Sequence, residues 1–355
     1  MDNHSQNGGD ARAWRRFSQA LLGSFAALLT LIYVANVLID PYDTLPFTLP
    51  FERAVVSGDQ RYMYPQIAHS KKFNSIIIGT STSRMLDPEI LNKDFDAAFA
   101  NLSVNSATPW EQLEVLSYFI RHSGAPKVLL IGLDGGWCGE NADRIRTYHD
   151  FPGWLYDDNP WNDLPHLLNT SALMISQRMV RYWLGIYREN ARFDGYLLHL
   201  RPDSEYEPAV ARELIWPNGR TRKTFDPPVV LTDKEKAEVS TPAVTWLDTH
   251  LKALPASTIK LLVFMPVHVS AQTNPGGRDD AIEAECRSRI VAVAKKYRAI
   301  ALDWGIPSPI TRDDTNYWDL VHYRRPIGDR IARDVGQYFR ENKVPDDGVF
   351  RVLAR

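Results

Sequence analysis

The sequence predicts an α/β fold in three layers, with helices flanking a parallel sheet. Short apolar runs that suit buried strands alternate with longer segments of helical periodicity, which is typical of parallel strands joined by crossover helices. One long apolar segment precedes the alternating region, and an aromatic-rich insertion interrupts it. We therefore expect one N-terminal transmembrane helix, a connector and one large α/β domain.

Length and charge limit the alternatives. The 355 residues suffice for one large domain or two of ordinary size. The formal net charge of −2 gives no reason to expect a nucleic-acid partner. No zinc-type spacing, Walker loop or G-x-G-x-x-G fingerprint occurs, so we expect no cofactor and no metal. Cys138 and Cys286 are far apart in sequence, and we interpret them as two unrelated thiols, although an oxidising compartment would allow one bridge.

The apolar segment covers residues 17–39 and contains no charged side chain. At about 1.5 Å per residue it reaches roughly 35 Å, enough to cross a bilayer core of about 30 Å. A cleaved secretory signal has a shorter apolar region, so a signal sequence is the alternative. Because Arg12, Arg15 and Arg16 precede the segment, we expect residues 1–16 in the cytoplasm. The chain would then be a single-pass inner-membrane protein whose domain lies outside, in the periplasm of a Gram-negative cell.

The chain beyond residue 40 divides into a connector and a domain. Residues 40–72 are rich in proline and aromatics and predict an irregular connector, and residues 73–345 predict the α/β domain, with the insertion at about 138–230. The predicted strands are 76–78, 97–104, 128–133, 260–266 and 300–304. The predicted helices are 110–122, 171–190, 233–254, 279–297 and 326–342.

The turn after the first strand is the centre of the functional prediction. Three consecutive isoleucines form that strand, Gly79 ends it, and Ser81 follows. Asp87-Pro88-Glu89 predicts the start of a helix, with acidic residues where the helix dipole favours them. Open α/β sheets bind ligands at the carboxyl edge of their strands. We therefore expect Ser81 at that edge, where it suits a nucleophile or an anion site.

A second element of the prediction follows the fifth strand. Asp319 and His322 are three positions apart, and this spacing lets the carboxylate accept a hydrogen bond from the imidazole. Beside Ser81 they would complete a nucleophile, a base and an orienting acid, the set that serves acyl transfer. The same spacing occurs at Asp163 and His166 inside the insertion, so it is the position after the last predicted strand that favours Asp319 and His322.

These ordered blocks resemble the SGNH (GDSL-like) hydrolase superfamily, in which Gly-x-Ser, Gly-x-Asn and Asp-x-x-His follow in that order. The matching blocks are Gly79-Thr80-Ser81, residues 101–108, Gly132-Leu133-Asp134 and residues 319–322. The resemblance implies an SGNH/flavodoxin-like sheet with Ser81, His322 and Asp319 as catalytic residues. A transmembrane helix before such a domain is similar to proteins of alginate O-acetylation and D-alanyl transfer (AlgJ/AlgX-like and DltD-like). It implies action on envelope or exported polysaccharide beside a membrane-bound O-acyltransferase.

Two positions depart from the family pattern. Ser106 takes the place of a glycine whose N–H binds the oxyanion, and Asp134 takes the place of an asparagine that donates to it. An ionised carboxylate cannot donate unless burial keeps it protonated, and the loss of one oxyanion donor costs on the order of 10²–10³ in rate. We therefore expect a differently built oxyanion site, with Arg84 or backbone groups, or a weak or absent activity. Asp134 is alternatively a structural cap of the following glycines.

The sequence thus favours a membrane-anchored serine esterase or O-acyltransferase that moves a small acyl group from a donor to a carbohydrate-like acceptor. Trp154, Trp161 and Trp183 of the insertion would either stack on sugars or pack its core. The alternatives are a non-catalytic glycan-binding or scaffold protein and a phosphate-binding domain that uses residues 79–83. A G-x-S-x-G elbow fits less well, because position 83 is serine. His268, after the fourth strand, is a second candidate base.

Overall fold

A computed structural model describes residues 6–47, 49–144, 151–196, 202–219 and 221–355. Within them, six strands form one mixed sheet in the order β2-β1-β3-β4-β5-β6. The first five strands pair in parallel, and the sixth pairs with β5 in the antiparallel direction. The strands are β1 (Ser75–Ile78), β2 (Phe99–Asn101), β3 (Val128–Leu133), β4 (Ile259–Phe264), β5 (Ile300–Asp303) and β6 (Arg351–Ala354).

The predicted α/β class is confirmed, but the sheet is not wholly parallel. The difference is β6, which the sequence analysis missed because it follows the last predicted helix and lies beyond residue 345. Its Val352 is paired with Leu302 of β5. The chain after the last helix therefore belongs to the sheet.

Helices flank the sheet and connect its strands. They are α1 (Gln6–Ile39), α2 (Gln60–Ala68), α3 (Pro88–Phe95), α4 (Pro109–Ser123), α5 (Thr170–Trp183), α6 (Pro208–Ile215), α7 (Asp233–Glu238), α8 (Pro242–Ala253), α9 (Arg278–Lys296), α10 (Pro309–Arg312) and α11 (Arg325–Glu341). α2 lies in the segment that was predicted to be irregular. The single helix predicted over 233–254 is split into α7 and α8, because Pro242 has no N–H to continue a helix.

Local sequence signals explain where these helices begin. The Asp87 side chain caps α3 by accepting a hydrogen bond from the N–H of Glu89. This agrees with the helix start that Asp87-Pro88-Glu89 predicts. At the start of α4, Thr108 and Glu111 cap each other's backbone N–H groups, and Pro109 occupies the first turn. Both helices follow a strand, so their first turns lie at the edge of the sheet where the strands end.

Apolar side chains cover both faces of the sheet. In β1, Ile76 and Ile78 belong to the buried cluster that includes α4, α8 and α9. Ile77 points to the other face, where it packs in the cluster of α3 and α11. All three isoleucines are fully buried, and each such burial contributes about 1.5–3 kcal/mol. The uninterrupted apolar run therefore identifies a strand that is covered on both faces.

The N-terminal helix α1 is long and apolar enough to cross a membrane. Its candidate span is Ala11–Ile39, with a mean hydropathy of 2.1 and only 6% of the most apolar window buried. These properties are compatible with a single-pass membrane protein. The helix begins at Gln6, so part of residues 1–16, the segment predicted to lie in the cytoplasm, is helical.

Candidate active site

The turn after β1 is shaped by two glycines that close around Ser83. A side chain on Gly79 or on Gly132 of β3 would overlap the Ser83 side chain, which is fully buried between them. The amide of Asn101, at the end of β2, donates to the carbonyls of Ser83 and Leu86 at 2.9 Å each. The backbone after Gly79 is thereby held tightly against the sheet, while Ser81 remains half-buried and accessible.

Ser81, His322 and Asp319 form a continuous hydrogen-bonded set. His322 Nε2 lies 2.8 Å from Ser81 Oγ, although the two residues are 241 positions apart. His322 Nδ1 lies 2.8 Å from Asp319 Oδ2. The neutral imidazole satisfies both contacts when Nδ1–H donates to the carboxylate and Nε2 accepts from the serine hydroxyl. The arrangement can therefore take a proton from Ser81, as the sequence analysis predicted for these three residues.

The Asp319 carboxylate is fixed by its own loop. Oδ1 accepts from the N–H groups of Val321 at 2.7 Å and of His322 at 2.8 Å, while Oδ2 faces the imidazole. Burial alone would raise the pKa of Asp319, but the hydrogen bonds and charge of His322 outweigh it and lower that pKa. Asp319 is therefore ionised at lower pH than a free aspartate, which suits a group that stabilises an imidazolium.

A buried tyrosine joins the two halves of the site, and the sequence analysis missed it. Tyr323, directly after His322, is fully buried, and its hydroxyl donates to the carbonyl of Thr82, directly after Ser81. The loop is supported further by His268, whose backbone N–H donates to the carbonyl of Leu320 at 3.1 Å. The only sequence signal for Tyr323 is its position beside the predicted base.

We expect Tyr323→Phe to lower kcat for ester hydrolysis about tenfold with little change in KM. The variant leaves the Thr82 carbonyl without its donor, at a cost of about 1–3 kcal/mol, and frees the serine turn to move relative to the imidazole. Tyr317→Phe is the matched control, because Tyr317 is also fully buried and its hydroxyl has no partner among the described residues. Equal losses in both variants would contradict a positioning role for Tyr323.

A cleft of about 470 Å³ opens at Ser81. It lies at the carboxyl ends of β1 and β3. The chain adds strands on one side of the sheet up to β2 and on the other side from β3 onward, so the order of strands reverses between β1 and β3. Open α/β sheets bind ligands at such a point. Its lining includes four polar side chains of α9 and of the turns after β3 and β4; they are Asn141, Gln272, Glu283 and Arg287. Arg287 is neutralised by Glu283 at 2.7 Å and Asp303 at 3.0 Å. Among the described residues, no group of three or more His, Cys, Asp or Glu side chains could hold a metal ion.

Two of the predicted oxyanion residues line the same cleft as Ser81. Ser106 is exposed and has a positive φ of 54°, a conformation in which glycine is favoured. In the part of the chain that the structure describes, no acceptor takes the N–H of Ser81 or of Ser106. Asp134 accepts from the N–H of Gly136 at 2.8 Å, so it caps the turn after β3, as the alternative interpretation predicted. The available donors are thus backbone groups.

Arg84, the third predicted oxyanion residue, is not among the residues that line the cleft. It is 2% exposed, and its Nη1 donates to Asn105 Oδ1 at 3.0 Å. Arg61, which pairs with the buried Glu111 at 2.8 Å, reaches the carbonyl of Asn105 at 3.4 Å. Through their bonds to Asn105, the two arginines therefore stabilise the loop that carries Ser106.

His268, the second candidate base, lies outside the cleft. It is fully buried, its Nδ1 accepts from Ser270 N at 3.1 Å, and its Nε2 lies 3.2 Å from Asp314 Oδ1. Burial lowers the pKa of His268, although the charge and the hydrogen bond of Asp314 act to raise it. Because Nδ1 accepts from Ser270, a neutral His268 carries its proton on Nε2, close to Asp314, and its side chain supports the structure behind the His322 loop.

The other predicted pair and the insertion tryptophans also lie away from the lining of the cleft. His166 stacks on Trp154 with ring centres 4.2 Å apart. Trp183 donates to the carbonyl of Glu52 at 2.8 Å. Trp161 is 60% exposed. Two of these tryptophans thus pack within the protein, and the structure brings none of the three to Ser81.

Cys138 and Cys286 form a disulfide, so the interpretation as two unrelated thiols is wrong. Their Cα atoms are 5.6 Å apart despite a sequence separation of 148. The fold brings them together because the turn after β3 meets α9, a tertiary contact that sequence spacing does not reveal. The bridge joins the turn that carries Asp134 to the helix that carries Glu283 and Arg287, and therefore links two walls of the cleft.

Comparison with models of known protein families gives no match for this chain. Comparison with curated proteins gives no match either. Membership of the SGNH superfamily therefore stays a prediction, which rests on the short blocks and on the geometry of the site.

Proposed function

We propose that the chain is a membrane-anchored serine esterase or O-acyltransferase that acts on envelope or exported polysaccharide. The observation that carries the proposal is the hydrogen-bonded set of Ser81, His322 and Asp319, in which Ser81 lines a cleft. The order of β1 to β5, 2-1-3-4-5, is that of flavodoxin-like sheets and supports the SGNH/flavodoxin-like fold.

The reaction proceeds in two acyl transfers. Ser81 Oγ attacks the carbonyl carbon of an ester, and its proton passes to His322 Nε2. His322 then gives that proton to the departing alkoxide oxygen as its bond to the carbonyl carbon breaks, which leaves an acyl group on Ser81. A water molecule or a sugar hydroxyl attacks this ester, loses its proton to His322, and Ser81 recovers a proton as it leaves. Asp319 stabilises the imidazolium in both steps.

Backbone groups are the proposed oxyanion donors. The N–H groups of Ser81 and Ser106 would hydrogen-bond the negative oxygen of each tetrahedral intermediate, while Asp134 stays engaged with Gly136. Two donors in place of three predict a slower enzyme than one with an asparagine, by a factor on the order of 10²–10³.

The cleft and the disulfide support the proposed substrate class and location. The amide, carboxylate and guanidinium groups in the lining suit a ligand rich in hydroxyls, such as a carbohydrate. A disulfide is typical of an oxidising compartment, which supports a domain outside the cytoplasm and an N-terminus inside. In this arrangement the acyl donor would be presented at the membrane, for example by a membrane-bound O-acyltransferase.

The proposal is tested by covalent labelling of the full chain in detergent. A fluorophosphonate is expected to modify Ser81, located by mass spectrometry of the peptide, and His322→Gln is expected to abolish the modification. In the same preparation, an O-acetylated oligosaccharide should release acetate. An unmodified Ser81 together with no release of acetate would refute the proposal.

A non-catalytic glycan-binding or scaffold protein is the second candidate, and Asp134 favours it. A carboxylate in the cleft repels a developing oxyanion but accepts hydrogen bonds from sugar hydroxyls. This candidate predicts that an oligosaccharide stabilises the protein against heat while Ser81 stays unlabelled. Labelling of Ser81 would count against it.

A further inference from the structure

One face of α1 is docked on the folded domain well before the helix ends. Leu29, Ile32, Tyr33, Asn36 and Val37 are the partly or fully buried residues of this face, and they recur every three or four positions. The Asn36 side chain, 1% exposed, donates to the carbonyl of Leu167 at 2.7 Å. The elements on which α1 packs are α5 and the short helix Leu164–Leu167 just before it.

The position of this contact along α1 fixes its depth in a membrane. Arg16 is the last charged residue before the apolar run, so the hydrocarbon core begins near residue 17. A core of about 30 Å at 1.5 Å per residue then ends near Asn36. Tyr33, which packs against the buried cluster of the domain, lies roughly 24 Å into that core, hence roughly 6 Å below its outer boundary. The part of the domain that contacts Tyr33 must therefore enter the outer leaflet.

The contacting segment lacks charged side chains, which a position in the membrane disfavours. Residues 164–177 contain no Asp, Glu, Lys or Arg. Leu168, Leu173 and Met174 project outward and are 47%, 44% and 43% exposed. Arginines appear only afterwards, at Arg178 and Arg181, and both lie over the ring of Tyr187.

The geometry points to a membrane-embedded surface formed by Leu164–Leu167, Leu168 and the first half of α5, with lipid of the outer leaflet as its partner. We call this surface the α5 patch. The inference rests on the proposed role of α1 as a membrane span. Interfacial helices bury their apolar face about 5–10 Å into the boundary of headgroups and acyl chains, which agrees with the depth given by α1. The domain is therefore seated in the membrane by a second element beside its span.

The test uses the full chain, one copy per lipid nanodisc. Leu173→Cys and Met174→Cys are labelled separately with an environment-sensitive fluorophore, and the lipids carry a quencher at a shallow or a central acyl position. Both labelled sites are expected to lose most of their fluorescence, more with the shallow quencher than with the central one. An unchanged unfolding temperature shows that each variant is folded.

Two control positions make the result decisive. Leu28→Cys, 54% exposed on α1, should respond most to the central quencher, and Val344→Cys, beyond α11 on the opposite face of the sheet, should respond to neither. Quenching at Leu28 with none at residues 173 and 174 would overturn the α5 patch and leave the span intact. An unquenched Leu28 would overturn both. Fluorophosphonate labelling of Ser81 in the same nanodiscs reports the catalytic proposal independently.

Discussion

Ser81→Ala is expected to lower kcat for p-nitrophenyl acetate hydrolysis by a factor on the order of 10⁴ or more. Its hydroxyl lies 2.8 Å from His322 Nε2, in position to attack a carbonyl with the imidazole as its base. Without it, the cleft retains only the backbone donors and binding contacts, which support a small residual rate. The measurement compares initial rates of full-length protein and variant in the same detergent.

Ser83→Ala is the matched control for this prediction. Ser83 lies two positions further on, is fully buried, and its hydroxyl has no hydrogen-bond partner among the described residues. Removal of an unpaired buried hydroxyl leaves no partner unsatisfied, so the variant should keep its fold and its rate. If Ser81→Ala retained activity, or if Ser83→Ala lost as much, Ser81 would not be the nucleophile.

Asp319→Asn is expected to lower kcat by a factor on the order of 10⁴ while the imidazole stays in place. The asparagine carbonyl can still accept from the N–H groups of Val321 and His322, so its amide NH₂ faces His322 Nδ1. A donor there favours the tautomer with the proton on Nε2, which cannot accept the proton of Ser81. Because the native pKa of Asp319 is lowered, the variant also loses the stability that this carboxylate contributes above the pKa of an unfolded aspartate.

Asp163→Asn tests whether any change in an Asp-x-x-His pair has the same effect. Asp163 is 2% exposed, and burial raises its pKa to about 6, so a neutral asparagine resembles one of its ordinary states. Its partner in sequence, His166, stacks on Trp154 outside the lining of the cleft. A rate for Asp163→Asn close to that of the unmodified protein is expected, and a loss as large as that of Asp319→Asn would contradict the assignment.

The sequence could predict those parts of the site that depend on the order of strands. A buried strand followed by Gly79, and Asp319 and His322 after the fifth strand, must meet at one edge of a parallel sheet, and the structure brings Ser81 and His322 together there. Tyr323 could not be recognised as the link to Thr82, because that contact depends on the exact packing of two loops.

The fold shows the same division between local and tertiary information. Pro109 and Thr108 predict the start of α4 from local chemistry, and the start agrees within one residue. β6 depends on pairing with β5, and the Cys138–Cys286 bridge on the contact of a turn with α9, so neither is visible in periodicity or spacing. Of the two interpretations of the insertion tryptophans, core packing agrees with the positions of Trp154 and Trp183, and periodicity could not decide between the two.

The Cys138–Cys286 bridge has a topological consequence. Its two ends enclose 147 intervening residues, which comprise the insertion, α7, α8, β4 and the start of α9. A single proteolytic cut anywhere within this covalent ring leaves the polypeptide one molecule, with the segment that bears Ser81 and the segment that bears His322 still tethered. After such a cut, the two catalytic segments are therefore separable only when the bridge is reduced as well.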